Sequence, residues 1–212
     1  MIKKVFISGI GTNVGKTIFS AIITEALKAD YWKPLQAGNL ENTDSAIVKS
    51  LISNNASRIY PEIYKFKNPL SPHTAAELEG IEIELNKIIL PETKNNLIIE
   101  GAGGLLIPLN NKGDMVIDLI KKIDAEVILV SRNYLGSINH TLLSVEALKQ
   151  RNIKISGIVF NGERNKSGEK FILAHTNLKL IGNIEKENIF DKSTVIKYAE
   201  NFRQSFKTLT II

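Results

Sequence analysis

Cysteine is absent from this 212-residue chain. That excludes disulfide bridges and thiolate metal sites, and it suits a reducing compartment. Histidine is scarce, at three residues; His73 and His140 lack the neighbours of a nucleophile triad and read as structural. No apolar run approaches the roughly eighteen residues of a membrane span. The start, Met1-Ile2-Lys3-Lys4-Val5, lacks the apolar region and small-residue cleavage site of a secretory leader, so a cytoplasmic protein is expected. Clustered positive charge is missing too. The net charge of +5 is carried by dispersed lysines, and Lys3-Lys4 and Lys121-Lys122 are pairs rather than a patch. Neither nucleic acid nor a membrane surface is therefore an expected partner. The tail from Asn201 to Ile212 is too short and mixed for an amphipathic anchor. There is no internal repeat and no low-complexity linker.

What is present is ordinary globular usage, 43% apolar and 23% charged, at a length that predicts a single domain over 1–212 with a proper core. Apolar runs at Val5-Phe6-Ile7, Asn96 to Glu100, Ala125 to Val130, Ile153 to Phe160 and Leu178 to Ile181 read as strands. Tyr31 to Pro34 adds a short one, broken into loop by Pro34 and Gly38. Amphipathic stretches predict helices over Ile18–Ala29, Ala46–Leu51, Val116–Ile123, Ser137–Gln150, near 168–175 and over Lys192–Phe206. Ile81 to Leu90 reads as a helix candidate, and 54–75, with three prolines, as irregular. Strands that are apolar throughout and alternate with helices predict an α/β protein with a mostly parallel sheet covered on both faces. Ligands in such sheets collect at the carboxyl ends of the strands.

The first strand end is the most informative. Gly9-Ile10-Gly11-Thr12-Asn13-Val14-Gly15-Lys16-Thr17 lies between a strand and a helix, the context of a phosphate-binding loop. Inward-facing backbone N–H groups and the positive end of the following helix would cradle phosphate. Lys16 would reach the β- and γ-phosphates, and the Thr17 hydroxyl would ligate Mg²⁺. The usual spelling puts the first glycine at position 10, where this chain has Ile10 flanked by two glycines. Partitioning-type ATPases carry a second lysine five residues before the Gly-Lys lysine; here that position is Gly11, which counts against a nucleotide switch of that kind.

Glu100 ends an apolar strand, where a charge is costly unless paired or bound to metal. It reads either as the acid that faces Mg²⁺ or as an acid bonded to loop N–H groups. The glycines of Gly101-Ala102-Gly103-Gly104 let a ligand approach the backbone. Asp44 by its spelling reads first as a helix cap, a role compatible with a metal contact. Lys33, fixed by Pro34 at a strand exit, is placed to neutralise developing negative charge. Ser137 or Gly136 reads as the cap of the helix that follows.

Taken in order, the loop G-x-x-T-x-V-G-K-T, the Lys33-Pro34-Leu35-Gln36-Ala37-Gly38 segment, Ser71-Pro72-His73, Glu100-Gly101-Ala102-Gly103-Gly104, Leu135-Gly136-Ser137-Ile138-Asn139-His140 and Asn161 resemble the dethiobiotin synthetase family. That resemblance implies a phosphate-loop fold and an ATP- and Mg²⁺-dependent ring closure of 7,8-diaminononanoate with CO₂ in biotin synthesis. It implies catalytic roles for Lys33, Lys16 and Thr12, and a metal site of Thr17, Asp44 and Glu100. It places ATP against Asn13, Val14, Gly15, Lys16, Thr17, Ile18, Asp44, Glu100, Gly101, Ala102, Gly103, Asn161 and Gly162. Substrate contacts fall on Thr12, Lys33, Ala37, Leu135, Gly136 and Asn139, and the family's homodimer brings Leu135–His140 to the partner's substrate site. The chain departs from the family pattern at Ala37, where Ser or Thr is common, at Asn13, where an acid is common, and near Gly182–Glu185, where proline usually follows the isoleucine.

Overall fold

A computed structural model describes residues 3–208; Met1, Ile2 and the end of the tail, 209–212, lie outside the described residues. Seven strands form one parallel sheet. They are β1 (Lys4–Gly9), β2 (Asp30–Trp32), β4 (Ile59–Tyr60), β6 (Leu97–Glu100), β7 (Glu126–Arg132), β8 (Ile155–Asn161) and β9 (Leu180–Ile184), in the order β4-β2-β6-β1-β7-β8-β9. The remaining two, β3 (Leu35–Ala37) and β5 (Tyr64–Phe66), pair parallel as a small second sheet.

The period-two alternation of β1 divides the core. Val5 and Ile7 point to one face, where α1 (Lys16–Leu27) packs with α7 (Lys192–Thr208); Phe6 points to the other, under α4 (Val116–Ile123). Phe19 anchors the first face, with ring centroids 6.5 Å from Phe202 and 6.4 Å from Phe206. On the second face Val116, Ile117 and Ile120 of α4 are buried at i, i+1 and i+4, an amphipathic stripe. The Asp118 carboxylate accepts from the Met115 N–H at 2.9 Å and so fixes the start of α4.

The strands and helices expected from apolar runs are present, with shifted ends. Helix α1 begins at Lys16 rather than Ile18, and β9 runs two or more residues later than expected. Three expectations fail. Residues 35–37, read as loop, form β3, and the 54–75 segment read as irregular contains β4, β5 and the start of α3 (Pro72–Leu78). Strands of two or three residues have no periodicity to read, but Ser71-Pro72 did carry a signal, because proline is favoured at the first helical position. The helix expected over Ile81–Leu90 reduces to a 3-10 turn at Leu85–Lys87. Ile83 and Ile88 are buried there, five residues apart, which does not give a helical stripe, while Ile81 and Ile89 face solvent.

Candidate active site

Topology brings three strand ends together. β2, β6 and β1 are neighbours in the sheet, with Trp32 level with Ile99 and Ile7 level with Glu100. Lys33, Glu100 and the Gly9–Thr17 loop therefore open onto one cavity of about 900 Å³ at the carboxyl edge of the sheet.

The loop ends in a turn only glycine adopts easily. Gly15 has φ +99 and caps α1, and a Cβ there would meet Asn161 Nδ2 at 2.1 Å. Asn161, at the end of β8, donates from that nitrogen to the Val14 carbonyl at 2.9 Å. Arg132, at the end of β7, reaches the Asn13 carbonyl at 3.2 Å. The loop is thus pinned from behind by two strands on the far side of β1. Lys16 folds back to donate to the Gly11 carbonyl at 2.9 Å. Burial lowers its ammonium to about 8; Glu100 opposes the shift and Lys33 adds to it.

The centre of the cavity is a cluster of oxygens and one ammonium. Thr17 Oγ1 donates to Asp44 Oδ1 at 2.7 Å and lies 2.9 Å from Glu100 Oε1. Lys33 Nζ lies 2.8 Å from Asp44 Oδ2 and 3.2 Å from Glu100 Oε1, and reaches the Gly101 carbonyl at 3.4 Å. The Lys33 side chain is 5% exposed and that of Glu100 1%, so neither charge would be tolerable without the other. Burial alone would lower the Lys33 ammonium, but Glu100 and Asp44 outweigh it and hold it above the usual lysine value.

Asp44 is not the helix cap. Thr43 is, accepting from the Ala46 N–H at 3.2 Å, and Asp44 is the first residue of α2 (Asp44–Leu51), its carboxylate turned into the cavity. The reading from spelling took the wrong member of the Thr43-Asp44 pair. Two further residues, missed in the sequence, shape the cluster. Tyr31 donates to Glu100 Oε2 at 2.9 Å. Burial, then the Glu100 charge, push this phenol well above its usual value, so it remains a donor. Gln36 bridges Asp44 and Gly38, its Oε1 accepting from the Asp44 N–H at 3.3 Å and its Nε2 donating to the Gly38 carbonyl at 2.9 Å. Tyr31 carried no signal, since an aromatic in an apolar strand reads as core. Gln36 did, standing between proline and glycine in a loop-like spelling.

Thr12, Ala37, Ala102 and Gly103 line the same cavity, as do Asn13 and Ile18. Gly101 lies against Phe6, where a Cβ would meet the ring at 2.6 Å. A separate cavity of about 350 Å³ beyond the loop is lined by Arg132, Asn161, Gly162, Glu185 and Phe190 among others. Leu135, Gly136 and Asn139 do not line the Lys33 cavity. Gly136, at φ +99, caps α5 (Ser137–Gln150), and Leu135 before it is completely exposed. His140 bonds the Tyr134 hydroxyl at 2.8 Å, and His73 lies with Ser71 and Thr74.

Two carboxylates, each with an oxygen within 3 Å of the Thr17 hydroxyl, are hard donors, the kind Mg²⁺ prefers when phosphates complete its shell.

Comparison with known proteins bears on this geometry. The family model described as AAA domain matches residues 3–194. The protein named ATP-dependent dethiobiotin synthetase BioD of Christiangramia forsetii is 54% identical over 96% of this chain and 98% of its own length. Its namesake in Cytophaga hutchinsonii is 56% identical over 93% and 95%, and that of Chlamydia pneumoniae 45% over 95% and 90%. Among solved structures, the cell division ATPase MinD of Pyrococcus furiosus aligns with a TM-score of 0.59 over 97% of this chain and all of its own, at 14% identity. A plasmid partition protein from Borrelia burgdorferi aligns at 0.56 over 98% of each chain, at 15% identity. At such identities these two neighbours establish the phosphate-loop NTPase fold and nothing finer.

Proposed function

The chain belongs to the dethiobiotin synthetase family, ATP-dependent ligases that form C–N bonds, and on that premise we propose that residues 1–212 form one ligase domain converting 7,8-diaminononanoate, CO₂ and ATP to dethiobiotin, ADP and phosphate. The observation that carries this reading is the cluster of Thr17, Asp44, Glu100 and Lys33 at the mouth of the phosphate loop.

One amine of the substrate attacks CO₂ and loses a proton, giving a carbamate. A carbamate oxygen takes the γ-phosphoryl group from ATP and ADP leaves. The second amine then attacks the carbamoyl carbon, closing the urea and expelling phosphate. An alkyl ammonium has a pKa of roughly 10, and only the free amine attacks CO₂. The Lys33 and Lys16 charges favour that free form by repulsion. The same charges hold the carbamate and the γ-phosphoryl group in line, while Thr12 contacts the diamine or its carbamate. Thr17, Asp44 and Glu100 would hold Mg²⁺, which would supply positive charge against the phosphates. Tyr31 holds one oxygen of Glu100, so the other stays aimed at Thr17 and Lys33. Ala37 offers no hydroxyl at the substrate, and Asn161 with Gly162 takes the adenine in the smaller cavity.

Leu135, Gly136 and Asn139 act on the partner's substrate in a homodimer. The complete exposure of the Leu135 side chain supports a covered face there. The enzyme works in the cytoplasm. Among the described residues no helix is long and apolar enough to cross a membrane.

The test is phosphate release from MgATP with bicarbonate, with and without the diamine, followed by detection of dethiobiotin. Diamine-dependent release with product is expected. Release that ignores the diamine would overturn this reading and leave an ATPase of the switch type.

A further inference from the structure

Two loops meet at a buried carboxylate that the Lys33 cluster does not touch. Glu169, in the first turn of α6 (Lys166–Thr176), is 3% exposed. Its Oε1 accepts from Asn133 Nδ2 at 2.8 Å, from Arg164 Nε at 3.0 Å and from the Asn165 N–H at 3.0 Å. Its Oε2 accepts from Arg164 Nε at 2.9 Å and Nη2 at 2.6 Å. Burial pushes this carboxyl up, and the bonds from Arg164, Asn133 and Asn165 outweigh it, so the group stays anionic. An α6 that needed only a fixed start already has one, because the Asn165 side chain accepts from the Gly168 N–H at 3.0 Å. The carboxylate does something besides.

Asn133 is where its hold becomes long-ranged. That residue follows β7, yet its Nδ2 also donates to the Glu163 carbonyl at 2.9 Å, in the loop after β8. Asn133 and Glu163 both line the smaller cavity, beside Asn161 and Phe190. One residue back, Arg132 holds the phosphate loop through the Asn13 carbonyl; three residues on, Gly136 opens α5. Arg164, on the other side of the carboxylate, extends to Glu185 at 3.6 Å, another lining residue of that cavity.

We infer that Glu169 is a positioning residue which, acting through Asn133 and Arg164, fixes the nucleotide-base pocket and the root of the 134–136 segment as one unit. The inference rests on the roles given above to those two loops. Binding of the base then sets the segment that serves substrate, and the segment in turn sets the base pocket, without Glu169 touching either ligand.

Glu169→Gln keeps the shape but faces Arg164 and Asn133 with an uncharged amide, half of it a donor. Binding of a fluorescent ATP analogue with Mg²⁺ is expected to weaken about tenfold, the size of a lost charge-assisted bond. In turnover the KM for the diamine should rise by a similar factor while kcat stays within about twofold, because Lys33, Lys16 and Glu100 are held by other elements, after β2, at the start of α1 and at the end of β6. Glu126→Gln, which removes a half-buried carboxylate at the other end of the sheet, should move neither constant. Unchanged nucleotide affinity in folded Glu169→Gln, with only Tm lowered, would overturn the inference, as would a change in nucleotide affinity with an unaltered diamine KM. Should Glu169→Gln not fold, Arg164→Lys retains the charge but loses the two-pronged contact, and the same pair of constants should rise by a smaller factor; constancy of both would overturn the inference. A wild-type protein that binds nucleotide but shows no diamine-dependent release would overturn the functional reading instead, and nucleotide affinity in the variant would then decide on Glu169.

Discussion

The two ends of the central sheet carry the same kinds of side chain in opposite circumstances. At the carboxyl end, Lys16, Lys33, Glu100 and Asp44 crowd into one cavity, and the first three of them are buried. At the amino end, Lys3, Lys4, Lys121, Lys154 and Glu126 surround a cavity of about 650 Å³. The ion pair there, Lys154 with Glu126 at 2.6 Å, has its lysine 67% exposed. Water screens the second group and is excluded from the first. The difference teaches that charge content says little about a site, and that the decisive quantity is the desolvation each charge carries. It also explains why a cavity with seven basic or acidic neighbours at the amino end, Asp124 and Arg151 among them, holds no comparable constellation: none of its side chains is forced to find a partner.

The comparison breaks most sharply at Lys33. Replacing it with alanine is expected to cut diamine-dependent phosphate release by about a hundredfold or more, the loss seen when one transition-state donor is removed, while nucleotide binding stays largely intact. Turnover equal to wild type would remove Lys33 from the chemistry. Lys16→Ala should weaken both nucleotide binding and turnover, which separates the two lysines in a single titration. Glu100→Gln leaves the Lys33 ammonium buried with half its compensation. It should lower the unfolding free energy by about 3 kcal/mol or more, read by urea denaturation, and abolish turnover. Tyr31→Phe is milder: losing one buried bond to a charged acceptor costs about 1.5–3 kcal/mol, and turnover should fall because Glu100 is less firmly aimed.

Away from both ends, Glu25 sharpens the role of partial burial. Burial raises its carboxyl, and bonds from Asn54 and Ser53 outweigh that and hold it below the usual value. A depressed native value means stability that is complete above the unfolded carboxylate value of roughly 4.3 and is lost as pH falls through the native one. Glu25→Gln should therefore lower Tm at pH 7 and flatten its fall on acidification. Smallest of all, Lys154→Ala should change stability by less than about 1 kcal/mol and leave turnover alone; a larger loss would show that the amino end is not screened as argued.

The sequence by itself determined the strand and helix alternation, because fully apolar runs are what a doubly covered parallel sheet requires. It also determined the phosphate loop, whose glycines, lysine and threonine must be contiguous to wrap a phosphate, and the ordered motifs that pointed to the family. Short elements escaped it. β3, β4 and β5 have two or three residues each, too few for any period to register, and only their pairing partners make them strands. Asp44 by its own spelling was legible only as a helix start, and its place in the site came from the family resemblance, since neighbouring Thr43 and Asp44 have equal capping chemistry and only the fold decides which one turns inward. Tyr31 and Glu169 belong wholly to the tertiary structure. Their importance comes from what stands opposite them, Glu100 at a separation of 69 residues for the first and Asn133 at 36 for the second. Contacts of that range are set by strand order, which places β2 beside β6 and β7 beside β8, and strand order leaves no mark on local spacing.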